Sequence, residues 1–307
     1  MTSMQKPREN EWLEYYDRFH YFSRDKVRDG CHPRIMEHPK SGKAIVLVHG
    51  LTDSPHFMSA IGQYFFYELG FNVYMPLLHC HGLKEPEGME DVELSEWKAN
   101  VGFAIKSAGT RCNRISIGGL STGGTLSFYM AATNPKINGT LYLFSAALDL
   151  AGGRFKFVGE IKKRLLRTPI AQLFDSKKPL VGDNPYRYDR MDMDGAQELA
   201  RLMKETDTII DEYDRKAPFP NKVFAAHSEC DTTASISGIE DLQKVSIPER
   251  FALYRITKEY DVSHASLVLK DPIVSNGETL EDKNPRFQHM MDAIAAFHRL
   301  DCDENLS

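Results

Sequence analysis

The chain predicts an α/β protein: a mostly parallel central sheet flanked by helices, with an inserted helical cap. Three observations carry this. The run KAIVLVHG (43–50) is continuously apolar, rich in β-branched residues and closed by a glycine, as a strand buried on both faces should be. Helical periodicity separates it from the next apolar run, and strand alternating with helix means βαβ units. Between 151 and 220 that rhythm breaks, and the chain becomes charged and helical in pattern. At 307 residues it makes one large domain with an insertion, or two modest ones. The division read here is a core of 1–150 and 221–307 with an inserted cap at 151–220.

The elements follow in order. Ser54 and Pro55 form a helix start, serine as N-cap and proline at the first helical position, and Phe57, Ile61, Phe65 and Leu69 then fall on one face. Gly70 ends that helix. A short strand at 72–75, a helix at 95–107, a strand at 114–117, a helix from Ser121 and a strand at 140–144 continue the alternation. In the insertion, 160–166 and 195–213 read as helices around the loop-like KKPLVGDNPYRYDRMD. Strands resume with KVFAAH (222–227) and FALYRI (251–256). A polar loop at 270–285 leads to a last helix marked by Phe287, Met290, Ile294 and Phe297. Residues 1–40, aromatic and charged, read as a lead-in strand or helix without a place in the sheet.

Composition narrows the function. Hydrophobic residues make up 42% of the chain, ample for a core, and the net charge is −5 with neither sign gathered into a block. That argues against nucleic acid or a membrane surface as partner. No apolar run approaches the roughly 18 residues a spanning helix needs, and the N-terminus lacks the apolar stretch of an export signal. Cys31, Cys80, Cys112, Cys230 and Cys302 are odd in number and lack CxxC or zinc-finger spacing, so free thiols in the cytoplasm are expected, without structural zinc. His79-Cys80-His81 offers ligand types suited to zinc, but a local cluster without a distant second pair reads as site or loop residues.

The chemistry is concentrated in ISIGGLSTGGTLSFYM, where a strand meets a helix through Gly119-Leu120-Ser121-Thr122-Gly123. G-x-S-x-G between a buried strand and a helix is the pattern of a nucleophile elbow, which exposes a serine hydroxyl on a strained turn. The glycines stand where crowded backbone excludes a side chain. A serine hydroxyl is a weak nucleophile, so a base must take its proton and a third group must orient the base. In the order serine, acid, histidine, Asp231 follows the strand at 222–227 and His264 follows the strand at 251–256. Asp149 and Glu229 compete with Asp231, and His227 competes with His264.

With these residues in view the chain resembles the α/β-hydrolase fold family, and within it bacterial carboxylesterases and monoacylglycerol-lipase-like serine hydrolases. The resemblance spans most of 43–300 through VHGLTDSP, MPLLHCHG, GGLSTGG and the Asp231 and His264 loops. It implies an oxyanion hole from the backbone N–H groups of Leu51 and Thr122, with His49 and Gly50 shaping the first loop. Donors at a helix N-terminus suit a developing negative charge. Departures from the family pattern are Cys80-His81-Gly82 in place of G-H-G, Ser228 in place of glycine, the small Ala234, and a longer loop after His264.

The expected activity is hydrolysis of carboxylic esters of small to medium acyl chain through an acyl-enzyme, with Ser121, His264 and Asp231 as triad and no cofactor or metal. Phe155, Phe157, Leu165, Leu166, Ile170, Leu173 and Phe174 are the cap's candidates for an acyl pocket or for packing onto the core. The same elbow also serves amide, thioester and carbon–carbon bond hydrolysis, and hydrolase-like receptors retain it, so fold leaves these alternatives open.

Overall fold

The structure, a computed structural model, describes residues 8–85, 88–150 and 177–303. Its centre is an eight-stranded sheet: β1 (Arg8–Glu11), β2 (Arg34–Glu37), β3 (Lys43–Val48), β4 (Asn72–Met75), β5 (Arg114–Leu120), β6 (Leu141–Phe144), β7 (Val223–Ser228) and β8 (Phe251–Ile256). The spatial order is β1-β2-β4-β3-β5-β6-β7-β8. From β4 to β8 every neighbouring pair is parallel, and β2 runs antiparallel to both β1 and β4.

Side chains on β3 alternate between two cores, because successive residues of a strand point to opposite faces. Ala44, Val46 and Val48 join the cluster that holds Trp97, Val101, Leu126 and Leu199, whereas Ile45 and Leu47 join the one that holds Phe57, Ile61, Phe65 and Met290. The first face is covered by α3 (Leu94–Ala108), α4 (Thr122–Thr133) and α5 (Met193–Arg215), the second by α2 (Ser59–Tyr67) and α7 (Phe287–Asp303). A further helix, α6, spans Ile236–Lys244, and Ser235 caps it by accepting the Ser237 N–H.

Several elements differ from the sequence expectation. Residues 54–58 begin as a 3₁₀ turn (Pro55–Met58), and Ser54 makes no side-chain cap bond. The lead-in segment supplies β1, a short helix α1 (Leu13–Arg18) and β2; Trp12, Tyr15, Phe19 and Phe22 are buried, and Trp12 stacks on Phe103 with centroids 5.3 Å apart. The loop expected at 270–285 contains a hairpin, β9 (Ile273–Ser275) and β10 (Glu278–Glu281), turned by Asn276 and Gly277 at φ 50° and 82°. Positive φ at both central residues is the Asn-Gly signature of a type I′ turn. Helix α5 lies against α3 and α4 on the flank of the sheet. The helix expected at 160–166, with the apolar residues from Phe155 to Phe174, lies outside the described residues.

Chain order reverses at β3: β4 lies on one side of it and β5 on the other. In open α/β sheets the crevice beyond the carboxyl ends at such a switch point is where ligands bind. Residues 49–54 leave β3 there and Ser121 leaves β5 there.

Two glycines separate helical propensity from close packing. A Cβ on Gly102, inside α3, would meet nothing within 4 Å, so Gly102→Ala should stabilise by about 0.5–1 kcal/mol. A Cβ on Gly123 would stand 2.2 Å from the Val48 oxygen, so Gly123→Ala should displace the turn at Ser121. Thermal melts check the pair: Gly102→Ala should raise Tm by about 2 °C, and a Gly123→Ala protein as stable as wild type would contradict the packing described.

Candidate active site

Strand β5 delivers Ser121 to the N-cap of α4 at φ 52° and ψ −120°, left-handed backbone that a side chain rarely adopts. The turn is fixed on both sides: the Ser121 N–H donates to the Phe144 carbonyl (3.0 Å), and its own carbonyl accepts from the Thr125 (3.1 Å) and Ala147 (3.2 Å) N–H groups. Glycine is required two residues either side for the same reason. A Cβ on Gly119 would lie 2.5 Å from the Val48 oxygen, and one on Gly123 would lie 2.4 Å from the His49 oxygen.

The loops after β7 and β8 bring an acid and a base together. His264 Nδ1 donates to Asp231 Oδ2 at 2.7 Å, while Asp231 Oδ1 accepts from the Thr233 (2.8 Å) and Ala234 (3.0 Å) N–H groups. Burial alone would raise the Asp231 carboxyl; the His264 charge and hydrogen bond, with help from His227 and the Thr233 N–H, outweigh it and hold it at about 2. Of the competing residues, Asp149 is engaged elsewhere: its Oδ2 accepts from Ser237 Oγ (2.7 Å) and its Oδ1 from the Leu150 N–H (2.8 Å). Glu229 is exposed. His227 is buried behind Asp231, with Nε2 3.8 Å from Oδ2.

Leu51 lies on the loop after β3, and Thr122 is the first residue of α4. Neither N–H donates to a backbone carbonyl among the described turns, loops and caps. The loop is held by His49, whose Nδ1–H donates to the Gly50 carbonyl (2.8 Å) and whose Nε2 accepts the Leu78 N–H (3.1 Å). Those two bonds require the neutral ring, and burial lowers its pKa to about 4. His81 packs against His49 at 5.0 Å, and its Nδ1 turns to the His79 carbonyl, whereas the His79 ring packs at a tilt against Tyr21 at 4.3 Å. The tripeptide considered for zinc thus spreads its imidazoles over two environments. Among the described residues no group of three or more His, Cys, Asp or Glu is arranged to hold a metal.

Ser121, His264 and Leu51 line one cavity of about 600 Å³. Its remaining wall contains residues that sequence reasoning missed: Asp53, Arg187 and Glu281. Asp53, two residues past Leu51, is 2% exposed. Arg187 Nη2 lies 3.0 Å from Asp53 Oδ1, its Nη1 bonds Glu281 Oε1, and its guanidinium lies 5.3 Å over the Phe57 ring. Burial raises the Asp53 carboxyl to about 6, with Arg187 opposing and Glu281 reinforcing the shift. The segment carrying Arg187 is anchored at several points: Tyr188 N–H to the Thr52 carbonyl (2.9 Å), Leu83 N–H to Tyr188 Oη (2.9 Å), and Tyr186 stacked on His56 at 3.4 Å. The Asp53 signal was present in TDSP, on the loop that follows β3. Arg187 sits in a stretch without periodicity, and Glu281 in the hairpin whose Asn-Gly turn was passed over.

A parallel sheet with a serine turn at its switch point, and a hydrogen-bonded histidine and aspartate on the adjoining loops, is the arrangement of the α/β-hydrolase fold. No family model matches the chain. It is 29% identical over 249 residues to the thermostable monoacylglycerol lipase of Bacillus sp. (strain H-257), an alignment covering 76% of this chain and 91% of that protein. Among solved structures it is similar to one from a study of LipS and LipT, two metagenome-derived lipolytic enzymes (TM-score 0.64, 18% identity, 89% of this chain and 100% of that one). It is also similar to the monoacylglycerol lipase of Paleococcus ferrophilus (TM-score 0.55, 20% identity, 83% and 95%) and to Est1E of Butyrivibrio proteoclasticus with ferulic acid bound (TM-score 0.54, 17% identity, 87% and 94%). At these identities the likeness to the solved structures is one of fold.

The buried imidazoles make stability pH-dependent. His49 and His56 are both lowered to about 4 and His81 further, in each case by burial. On acidification from the ordinary value of 6.5 the unfolded chain takes up these protons first, so stability falls between pH 6.5 and 4; His49 alone contributes about 3 kcal/mol to that loss. Asp53, raised to about 6, works in the opposite sense over part of the range, and Asp231 loses its contribution only as pH falls through about 2. Melts at pH 7 and pH 4.5 should show Tm falling by several degrees; a flat or rising Tm would show that the histidines are not held neutral.

Proposed function

We propose that this protein is a serine hydrolase of carboxylic esters of small to medium acyl chain, with Ser121 as nucleophile, His264 as general base and acid, Asp231 as the group that orients it, and the Leu51 and Thr122 N–H groups as oxyanion hole. The observation that supports this most strongly is the 2.7 Å bond from His264 to a buried carboxylate, on a ring that lines the same cavity as a serine held at positive φ. The cavity's volume, about 600 Å³, suits a small-molecule ester. Residues 151–220 are assigned the cap in this reading, with the stretch around Arg187 as its described contact with the cavity. Cytoplasmic residence belongs to the same reading. Among the described residues no helix is long and apolar enough to cross a membrane.

Ser121 Oγ attacks the ester carbonyl while its proton passes to His264 Nε2, the nitrogen left over once Nδ1 is committed to Asp231. The imidazolium that forms faces a carboxylate held ionised well below neutral pH, and the negative charge on the former carbonyl oxygen is met by the Thr122 N–H at the N-terminus of α4 and the Leu51 N–H on the loop after β3. Collapse of the tetrahedral intermediate breaks the C–O bond, the His264 proton leaves with the alcohol, and the acyl group remains on Oγ. Water, deprotonated by His264, repeats the sequence and releases the acid.

Hydrolysis of p-nitrophenyl esters, from two to about sixteen carbons, tests this. Wild type should peak at short to medium chains, Ser121→Ala should lose turnover and fluorophosphonate labelling together, and Asp231→Asn should lower kcat by about 10⁴ while remaining folded. Full turnover by folded Ser121→Ala would overturn the assignment of the nucleophile.

A further inference from the structure

The described wall of the cavity is charged, and its charges do not cancel. Asp53, Asp183, Asp189 and Glu281 face it together with two cations, Lys178 and Arg187. Lys178 and Asp183 are exposed at the rim, so the inner wall consists of Asp53, Asp189 and Glu281 around one guanidinium. That guanidinium is already engaged by Asp53 and Glu281. Arg187 therefore offers little to a carboxylate-bearing substrate, while the carboxylates retain a negative surplus.

This surplus lies beside the reaction centre. A Cβ placed on Gly50 would stand 2.5 Å from Asp53 Oδ2 and 3.3 Å from Ser121 Cβ, so carboxylate and nucleophile flank the same point. Asp53 is 2% exposed, so its charge is poorly screened by water. Acyl transfer from Ser121 develops a further negative charge on the oxyanion. A second anion on the substrate would add to the repulsion, and a cation would relieve it.

We infer, on the basis of the ester-hydrolase reading, that Asp53, Asp189 and Glu281 make this cavity selective for esters carrying a positive charge away from the scissile bond, and against esters carrying a carboxylate. The three acids come from separate parts of the chain: the loop after β3, the stretch that follows 151–176, and the β9–β10 hairpin. Arg187 holds two of them side by side, acting as their positioning residue. The class of substrate is thus an ester with an ammonium group on its alcohol or acyl part.

Three butyrates of similar size test this: the 2-(trimethylammonio)ethyl ester, its neutral 3,3-dimethylbutyl isostere, and the 3-carboxypropyl ester. The quaternary ammonium neither titrates nor invites acyl migration. In wild type, kcat/KM should fall in that order, on the order of 10-fold per step at low salt, and the spread should narrow at 1 M salt. Asp53→Asn, Glu281→Gln and Asp189→Asn should each compress the cation-to-anion ratio, whatever they do to overall rate. Burial raises Asp53 to about 6, so the wild-type ratio should also shrink as pH falls from 7.5 to 5.5. The groups facing Asp53 are Arg187, Glu281 and His264. The salt and pH dependence of wild type decide the matter even where a variant fails to fold. Equal rates for the three esters, a preference for the anion, or a ratio untouched by salt and by all three variants would overturn the inference while leaving ester hydrolysis standing. No hydrolysis of any of the three, with no fluorophosphonate labelling of Ser121, would overturn both.

Discussion

Where β3 and β5 end, backbone approaches backbone so closely that a single added carbon on Gly123 would stand 2.2 Å from one carbonyl oxygen of β3 and 2.4 Å from the next. The rest of the site depends on this contact. It sets the start of α4, where Thr122 lies, against the end of the strand from which the loop of Leu51 departs. It also leaves Ser121 no relaxed backbone to adopt: the residue sits at φ 52° because hydrogen bonds to Phe144, Thr125 and Ala147 hold both sides of the turn. Strain of this kind persists only where the surroundings over-determine it. Here the surroundings are the middle strands of an eight-stranded sheet, buried on both faces.

The same logic extends outward to the loop after β3. Thr52, like Ser121, has positive φ, and its carbonyl is held by the Tyr188 N–H. His49 fixes the loop from beneath by bonding Gly50 and Leu78 through a neutral ring. Arg187 fixes it from above through Asp53. A buried ion cluster of this kind adds little net stability over an apolar contact of the same shape, because desolvation offsets the attraction, whereas removing one partner is costly. Its value lies in geometry. It permits one arrangement of three chain segments around the nucleophile and penalises the others.

Much of this was legible in the sequence because it rests on local rules. Buried parallel strands appear as apolar runs, and the elbow appears as glycines at fixed offsets from a serine, so β3, β5, β8 and Ser121 could be read directly. Asp231 and His264 could be ordered along the chain, but choosing Asp231 over Asp149 depended on partners that only three dimensions supply: Ser237 occupies Asp149, and His264 faces Asp231. The lead-in residues resisted placement because their burial comes from aromatic contacts across the fold, Trp12 on Phe103 and on Tyr74, and not from a period of their own. Glu281 was missed for a different reason. The Asn-Gly turn was visible, but the flanking strands are short and polar and gave no alternation to frame it.

The charged wall is formed by described residues, whereas the apolar candidates read from sequence, Phe155, Leu165 and their neighbours, lie outside them. An ester has two parts as well, and the proposed mechanism treats them differently: the acyl group stays covalently attached through deacylation, whereas the alcohol leaves after the first step. A wall bearing surplus negative charge is well placed to hold a polar or cationic portion and poorly suited to a hydrocarbon chain, because a carboxylate packed against a methylene loses hydration without gaining a partner. Selectivity for charge would then rest with segments outside the central sheet, the 177–192 stretch and the β9–β10 hairpin, together with one aspartate on the loop after β3. The chemistry would remain with the strand ends of the sheet. These are physically separable, since the ion cluster reaches the reaction centre through space, by its field, and the elbow through backbone contact.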